Sequence, residues 1–388
     1  MKVDTKIEDK TLIIAVEGRI DTNTVTELEN NLPKLDEIEK VIFDFDKLEY
    51  ISSSGLRLIL KTKKQVNDTS IINCSTEVYD IFNMTGFAEM MEVKKALRKI
   101  SIDNCELIGE GFYGKIYRLD PETIVKVYKI SEALDMIKRE IDVSKKAFVM
   151  GIPTAIAYDI VKVGDSYGAV FELLNAESIA DIIKDKNDFD RFINKSVEVL
   201  KDMHQIKAKE GTFPKRKDVI LKMLKDTEKH LSKKTFEKLN KLIESIPDRN
   251  TIIHSDFHVK NIMAQNDDLL LIDMESLSVG HPIFEFGAMY ATYEGFSCVD
   301  KKNTEKFLDM PQTVATELFN RIFKGYYNDK SDEELESMIE KLSIISYIQV
   351  LMIRSKYSEL AYGKEKEEID FCVNYLTEKA EKLDTLEY

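Results

Sequence analysis

Residues 252–275 read IIHSDFHVKNIMAQNDDLLLIDME, and the fold of the chain turns on this stretch. The apolar pair Ile252 and Ile253 delivers His254, Ser255 and Asp256 into a loop. Asn261 follows, and an apolar run from Leu269 to Ile272 carries Asp273 at its end. The pattern predicts a strand, a polar loop and a strand. Asp256, Asn261 and Asp273 then sit on two short adjacent extended segments and can converge on one point. Phosphoryl transfer needs such a point. Metal ions that hold the transferred group prefer oxygen ligands, and the incoming hydroxyl needs a carboxylate to orient it and accept its proton. Asp256 is the candidate base, and Asn261 and Asp273 are the candidate metal ligands. The plainer reading is a polar loop between two core strands with scattered carboxylates.

The spacing makes the signal specific. Asp, four residues and then Asn is the catalytic-loop pattern of protein kinases, with Ser255 here in place of their Arg. HSDFHVKN also resembles the HGDLHPGN-type loop of aminoglycoside phosphotransferases and choline kinases, and LIDME resembles their I-D-x-E metal segment. GHPIFEFG, from Gly280 to Gly287, resembles that group's G-x-P-x-x-D-L stretch with Glu285 in place of Asp. In that group the acid braces the catalytic loop from a helix, a role the longer Glu285 can still serve; its other reading is an acid beside a helix N-terminal dipole. The resemblance covers roughly residues 104–388. It implies a two-lobed, protein-kinase-like α+β fold using ATP and Mg2+, with a nucleotide lobe over 104–174 and a helical catalytic lobe over 175–388.

The upstream sequence carries the matching parts in kinase order. Cys105 to Leu119, CELIGEGFYGKIYRL, places Gly109, Gly111 and Gly114 between two apolar stretches. Glycines there let backbone N–H groups approach phosphate oxygens, although a plain tight hairpin uses them too. Lys126 follows in the strand-like run TIVKV, and a lysine in a buried strand is costly without a partner. Glu140, in the amphipathic stretch from Glu132 to Met150, is the natural partner, with Glu132 the alternative. Ala155 to Val163 and Tyr167 to Leu174 read as strands joined at Gly164-Asp165, completing a five-stranded lobe. FELLNAESIADII then resembles the hinge between kinase lobes, where backbone groups of Glu172 to Leu174 would meet adenine; the plainer reading is an ordinary strand-to-helix loop. Helical patterns follow at Phe189–His204, Asp218–Ile246, Pro311–Tyr327, Asp332–Tyr362 and Lys364–Leu386, interrupted only by the catalytic strands and loop. Phe286 to Tyr293 reads as core, or as a wall of the acceptor pocket. His254 reads as a brace of the loop, and His258 and His281 lack the spacing of a transition-metal set.

The first hundred residues alternate strand and helix, as an α/β sandwich does. Strand patterns cover Thr11–Ile20, Lys40–Phe45 and Ser70–Cys74, and helical ones Thr24–Leu35, Ser54–Val66 and Glu77–Asn83. Ser52, Ser53 and Ser54 fall where a strand gives way to a helix. Serines there are good N-caps, and a phosphate there would be held by free N–H groups and the helix dipole. The segment FDKLEYISSSGLRLIL and the MTGF turn resemble the STAS domains of anti-sigma factor antagonists. That likeness covers roughly residues 1–98 of a first domain spanning 1–100, makes Ser53 the phosphoacceptor candidate by alignment on Gly55, and implies regulatory proteins that bind the STAS surface. Ser52 stands where that family has Asp. Lys94 to Asp103 feeds almost directly into the second domain, residues 104–388, with no long linker.

Composition narrows the class. The 388 residues carry a net charge of −14, which disfavours nucleic acid as a partner. Residues 1–100 hold 15 basic and 18 acidic residues, so most of the negative charge lies beyond them. An acidic second part suits a cationic substrate such as an amino sugar or choline-like amine, or serves solubility alone. No apolar run approaches a membrane span, and the N-terminus has no signal core. Four widely spaced cysteines suit a reducing compartment, so the expectation is a cytoplasmic enzyme. The sequence thus predicts an ATP- and Mg2+-dependent kinase of a small-molecule hydroxyl with a STAS module for regulation or partner binding. Its rivals are a kinase of STAS-domain serines and a non-catalytic nucleotide-binding scaffold in anti-sigma-type signalling.

Overall fold

Leu12, Ile14 and Val16 are buried while the residues between them are not, the two-residue repeat of a strand covered on one face. They belong to a sheet in a computed structural model that describes residues 1–111, 114–129, 134–183, 186–266, 268–357 and 363–388. Two units are resolved by their contacts: Met1–Ser101 with Val161–Asp165, and Ile102–Ile160 with Ser166–Tyr388.

In the first unit, β1 (Lys2–Glu8) and β2 (Thr11–Ile20) form a hairpin turned by Asp9 and Lys10, both at positive φ. Helix α1 (Val25–Asn31), β3 (Lys40–Ile51), α2 (Ser53–Gln65), β4 (Asp68–Cys74), α3 (Thr76–Met84), α4 (Phe87–Met90) and β5 (Val93–Lys95) follow. The sheet order is β1-β2-β3-β4-β5, with β1 antiparallel and the rest parallel. Strand β6 (Arg98–Ile100) pairs with Val161–Val163. Phe43, Phe45 and Phe82 pack in the core with ring centroids 5.8 and 6.1 Å apart. Helix α1 is shorter than the pattern over 24–35 predicts. Leu32 is already extended because Pro33 follows it. Strand β1 has no counterpart among the sequence expectations: its charged residues read as a polar start, yet charge is what keeps an exposed edge from pairing with other chains.

The second unit opens with β7 (Glu106–Glu110), β8 (Gly114–Arg118), β9 (Thr123–Tyr128), α5 (Leu134–Val149), β10 (Ala157–Val163) and β11 (Ser166–Glu172), the strands ordered β10-β11-β9-β8-β7. The helical part holds β12 (Glu177–Ser178), α6 (Ile179–Ile182), α7 (Lys186–Gln205), α8 (Arg216–Asp226) and α9 (Lys233–Glu244). Then come β13 (Ile252–Ile253), β14 (Ile262–Gln265), β15 (Asp268–Leu271), β16 (Ser278–Val279), α10 (Pro282–Tyr293), α11 (Lys302–Leu308), α12 (Gln312–Tyr326), α13 (Asp332–Lys356) and α14 (Glu365–Lys382). The single helix expected over 218–246 is two. The chain breaks at a 3-10 turn, Glu228–His230, and Ser232 restarts it by accepting the Thr235 N–H at 3.1 Å. Helix α10 takes in the stretch read as core and carries Glu285 as the resemblance implies, whereas α11 falls where no element was expected. Gly287 lets α10 sit against α13, since a Cβ there would lie 2.8 Å from Ile345 Cβ. Among the described residues no helix is long and apolar enough to cross a membrane.

Candidate active site

The loop that follows β13 is held from behind. Strand β13 pairs with β16, and the chain then turns through Ser255 in the left-handed region, φ 67°. Both oxygens of Glu285 on α10 accept the N–H groups entering that turn, His254 at 2.5 Å and Ser255 at 2.9 Å. Glu285 is fully buried, with His204 Nε2 3.5 Å away and His204 Nδ1 within 2.8 Å of the Tyr326 hydroxyl. Buried Arg216 faces the same charge. Burial pulls its guanidinium down to about 10 against the opposing pull of Glu285 and Asp256. His254 is buried, and neither ring nitrogen has a partner among the described residues; the loop is braced through its backbone, not its imidazole.

Beyond the turn, Asn261 Nδ2 donates to Asp256 Oδ2 at 2.9 Å and to the Asp256 carbonyl at 3.0 Å. Tyr293 takes the Val259 N–H at 3.1 Å, fixing the 3-10 turn that carries Asn261. The hairpin of β14 and β15 brings the chain back, Ile272 N–H bonds the Asn261 carbonyl at 2.9 Å, and Asp273 is left at φ 61°, ψ 61°. Ser255 before the β14–β15 hairpin and Asp273 after it, both non-glycine residues in the left-handed region, are strain concentrated at the site.

From the other side, Lys126 Nζ on β9 reaches Glu140 Oε1 at 2.8 Å and Asp273 Oδ1 at 3.3 Å. Glu140 is buried and also accepts a hydrogen bond from the Tyr128 hydroxyl, so the charge is paired and hydrogen-bonded, the condition under which burial is tolerable. Glu132 lies outside the described residues, as do 112–113 of the glycine loop. The three glycines answer to different needs. A Cβ on Gly114 would lie 2.2 Å from the Val127 carbonyl oxygen, one on Gly109 would make ordinary contact with Ile116, and Gly111 faces open space. At the end of β11, Glu172 N–H bonds the Ile156 carbonyl at 2.9 Å and Leu173 N–H the Glu122 carbonyl at 2.7 Å. Leu174 N–H has no partner among the described residues.

One cleft of about 560 Å³ is lined by Gly109, Gly111, Gly114, Lys126, Glu140, Glu172, Leu174, Asp256, Asn261 and Asp273 together. Ser53 is elsewhere, exposed as the first residue of α2, with Ser52 as N-cap. Residues 104–306, just over half of the chain, match the phosphotransferase enzyme family. The chain belongs to that family.

Residues 2–100 of this phosphotransferase match the STAS domain. The same part is 28% identical over 101 residues to the anti-sigma-B factor antagonist of Staphylococcus aureus strain NCTC 8325 / PS 47, covering 24% of this chain and 94% of that protein. BtrV of Bordetella bronchiseptica is 30% identical over 99 residues, 24% of this chain and 85% of its own. Among solved structures, a thermostable aminoglycoside phosphotransferase APH(4)-Ia in a ternary complex with ADP and hygromycin B is similar with TM-score 0.50 and 10% identity, over 72% of this chain and 94% of that one.

The electrostatics of the phosphotransferase cleft separate its carboxylates. Burial acts to raise the Asp256 carboxyl, but His258, whose Nε2 lies 3.3 Å from Oδ1, together with His254 and Asn261, brings it to about 2. Glu275 goes the other way: burial, with the charges of Asp273, Glu140 and Asp256, lifts it to about 7. Burial works against the charge on Lys126, and Asp273 and Glu140 outweigh it, so its pKa is raised. Such divergence marks functional sites. Glu275, Lys260 and Phe307 line the cleft without having been singled out from sequence. Glu275 was legible in the last letter of LIDME, whereas Phe307 comes from short α11, which carries no motif. The stretch 286–293 does not line the cleft and is buried in α10. Of the other two histidines, His258 contacts Asp256, and His281 Nδ1 accepts the Ile283 N–H at 3.1 Å.

Proposed function

We propose that this phosphotransferase moves the γ-phosphoryl group of ATP to a hydroxyl of a small molecule. The convergence of Asp256, Asn261 and Asp273 opposite the Lys126–Glu140 pair carries the reading. Asp256, ionised throughout the physiological range, orients the acceptor hydroxyl and takes its proton as the new O–P bond forms. The γ-phosphate bond to the β-oxygen breaks, and ADP leaves. Lys126, held by Glu140, steadies the nucleotide phosphates under the glycine turn, and the Leu174 N–H is a donor for adenine.

The donor set fits magnesium. Asn261 and Asp273 offer the oxygen ligands that magnesium prefers, beside the waters and substrate phosphates that usually complete its shell. The Asn261 amide nitrogen is committed to Asp256, leaving Oδ1 for the ion beside Asp273. Magnesium held by Asn261 and Asp273 would supply positive charge to neutralise the charge that develops on the transferred group.

The ADP and hygromycin B bound to the APH(4)-Ia relative support a nucleotide donor and a small acceptor. A second reading keeps the chemistry and makes a STAS serine the acceptor, because Ser53 is exposed at the start of α2. The STAS part would regulate the enzyme or dock partner proteins, and unbridged cysteines suit the cytoplasm. Incubation with Mg·ATP and mixed alcohols, read by mass spectrometry of small molecules and of the chain, distinguishes these. A phosphorylated small molecule supports the first reading; a gain of one phosphate on the chain that Ser53→Ala abolishes replaces it with the second.

A further inference from the structure

Lys260 is a cation that phosphoryl transfer as described above leaves unused. It lines the cleft from the turn between Val259 and Asn261, and it is exposed. Among the described residues it has no carboxylate partner, whereas Lys126 is shared by Glu140 and Asp273. Its Nζ lies 5.5 Å from the Phe307 ring centroid, and Phe307 meets the His258 ring edge-on at 5.4 Å. His258 Nε2 in turn stands 3.3 Å from Asp256 Oδ1. Base, imidazole, phenyl ring and ammonium thus form one connected run along the cleft lining. Phe307 keeps 43% of its surface accessible, an apolar face open to a ligand.

The other carboxylates of the cleft do not answer this charge. Glu110 pairs with Lys129 at 3.1 Å, Glu140 with Lys126 at 2.8 Å, and Glu172 accepts the Ile156 N–H at 3.1 Å. Asp256, Asp273 and Glu275 belong to the reacting centre. A cationic acceptor seated against the base would bring like charge to an ammonium that has no carboxylate partner among the described residues, which is unfavourable at contact. The overall charge of −14 does not reverse this, because exposed charges are screened beyond about 8 Å at physiological ionic strength.

We propose that Lys260 and the Phe307 ring form an acceptor subsite for an anionic group, so that the phosphorylated alcohol carries a carboxylate or phosphate near its reacting hydroxyl. The proposal rests on the small-molecule reading given above. In the transfer the acceptor oxygen gains the γ-phosphoryl group, its proton passes to Asp256, and ADP departs; Lys260 exchanges no proton and only positions the acceptor.

The test offers the full chain Mg·ATP with three pools of hydroxyl compounds: anionic (hydroxy acids, sugar acids and sugar phosphates), neutral (sugars and polyols) and cationic (amino sugars, aminoglycosides and choline). Mass spectrometry identifies the product, and kinetics follow for Lys260→Met and Lys260→Glu. The expected product comes from the anionic pool. Its KM rises tenfold or more in Lys260→Glu and less in Lys260→Met, with smaller changes in kcat and in the KM for ATP, the pattern of lost ground-state binding. A product from only the neutral or cationic pool, an unchanged acceptor KM, or a rise confined to the KM for ATP overturns the anionic subsite and leaves the small-molecule reading standing. No product from any pool removes that reading and this subsite with it.

Discussion

Both oxygens of Glu285 are committed to the His254 and Ser255 N–H groups, so the position of Asp256 depends on a carboxylate that cannot itself reach a substrate. Glu285→Ala leaves those two buried donors unpaired and removes the larger of the two countercharges on Arg216. Stability should fall by about 3 kcal/mol, the cost of orphaning buried hydrogen-bonding groups, and kcat should fall with it. Urea unfolding and steady-state kinetics on the same preparation check this; a folded variant with wild-type kcat would show that the brace is irrelevant to the chemistry. Glu285 was readable in sequence only as a substitution in a familiar stretch. That its extra methylene preserves the bidentate contact is a matter of where α10 enters, which spacing does not encode.

At the level of elements, the glycine turn and the α10 N-cap make opposite demands. Gly114→Ala must displace the Val127 carbonyl and so loosen the pairing of β8 with β9, whereas Gly111→Ala enters open space. Thermal unfolding should show the first clearly destabilised and the second within about 0.5 kcal/mol of wild type. His281 caps α10 as a neutral ring, and burial, with lesser contributions from Arg249 and His204, holds its pKa at about 4. An unfolded histidine titrates near 6.5, so between pH 6.5 and 4 the unfolded chain binds the proton that the folded one refuses. Stability therefore falls as pH drops through that window, by about 3 kcal/mol from this group, and falls no further below it. His281→Asn keeps a capping side chain without the titration, and denaturant unfolding at pH 7 and pH 4.5 should show a smaller acid loss; an equal loss would assign it elsewhere. The lysine–glutamate pair was legible because motif order restricts it, whereas the strand–loop–strand reading missed β14, which pairs with β15 while β13 pairs with β16. Strand β1 and the break before α9 were not legible either, because an edge strand needs no apolar repeat and Ser232 differs from a mid-helix serine only by its cap.

Across the whole molecule, the buried apolar residues of the STAS part form a cluster of their own, while those of the phosphotransferase part form others. Separate cores argue against a single two-state transition. Calorimetry should resolve two, and Mg·ATP should raise only the transition of the phosphotransferase part, by about 2.7 kcal/mol at a hundredfold excess over Kd. A shift of both together would mean that the two cores unfold as one.

The account depends most on Asp256 as the base. The direct test compares wild type with Asp256→Asn in single-turnover phosphate transfer from Mg·ATP to the acceptor found by screening, with nucleotide binding measured on the same samples. The variant should bind Mg·ATP with near wild-type affinity and transfer phosphate about 10²–10⁴-fold more slowly. A variant that binds nucleotide and transfers at the wild-type rate would contradict the account.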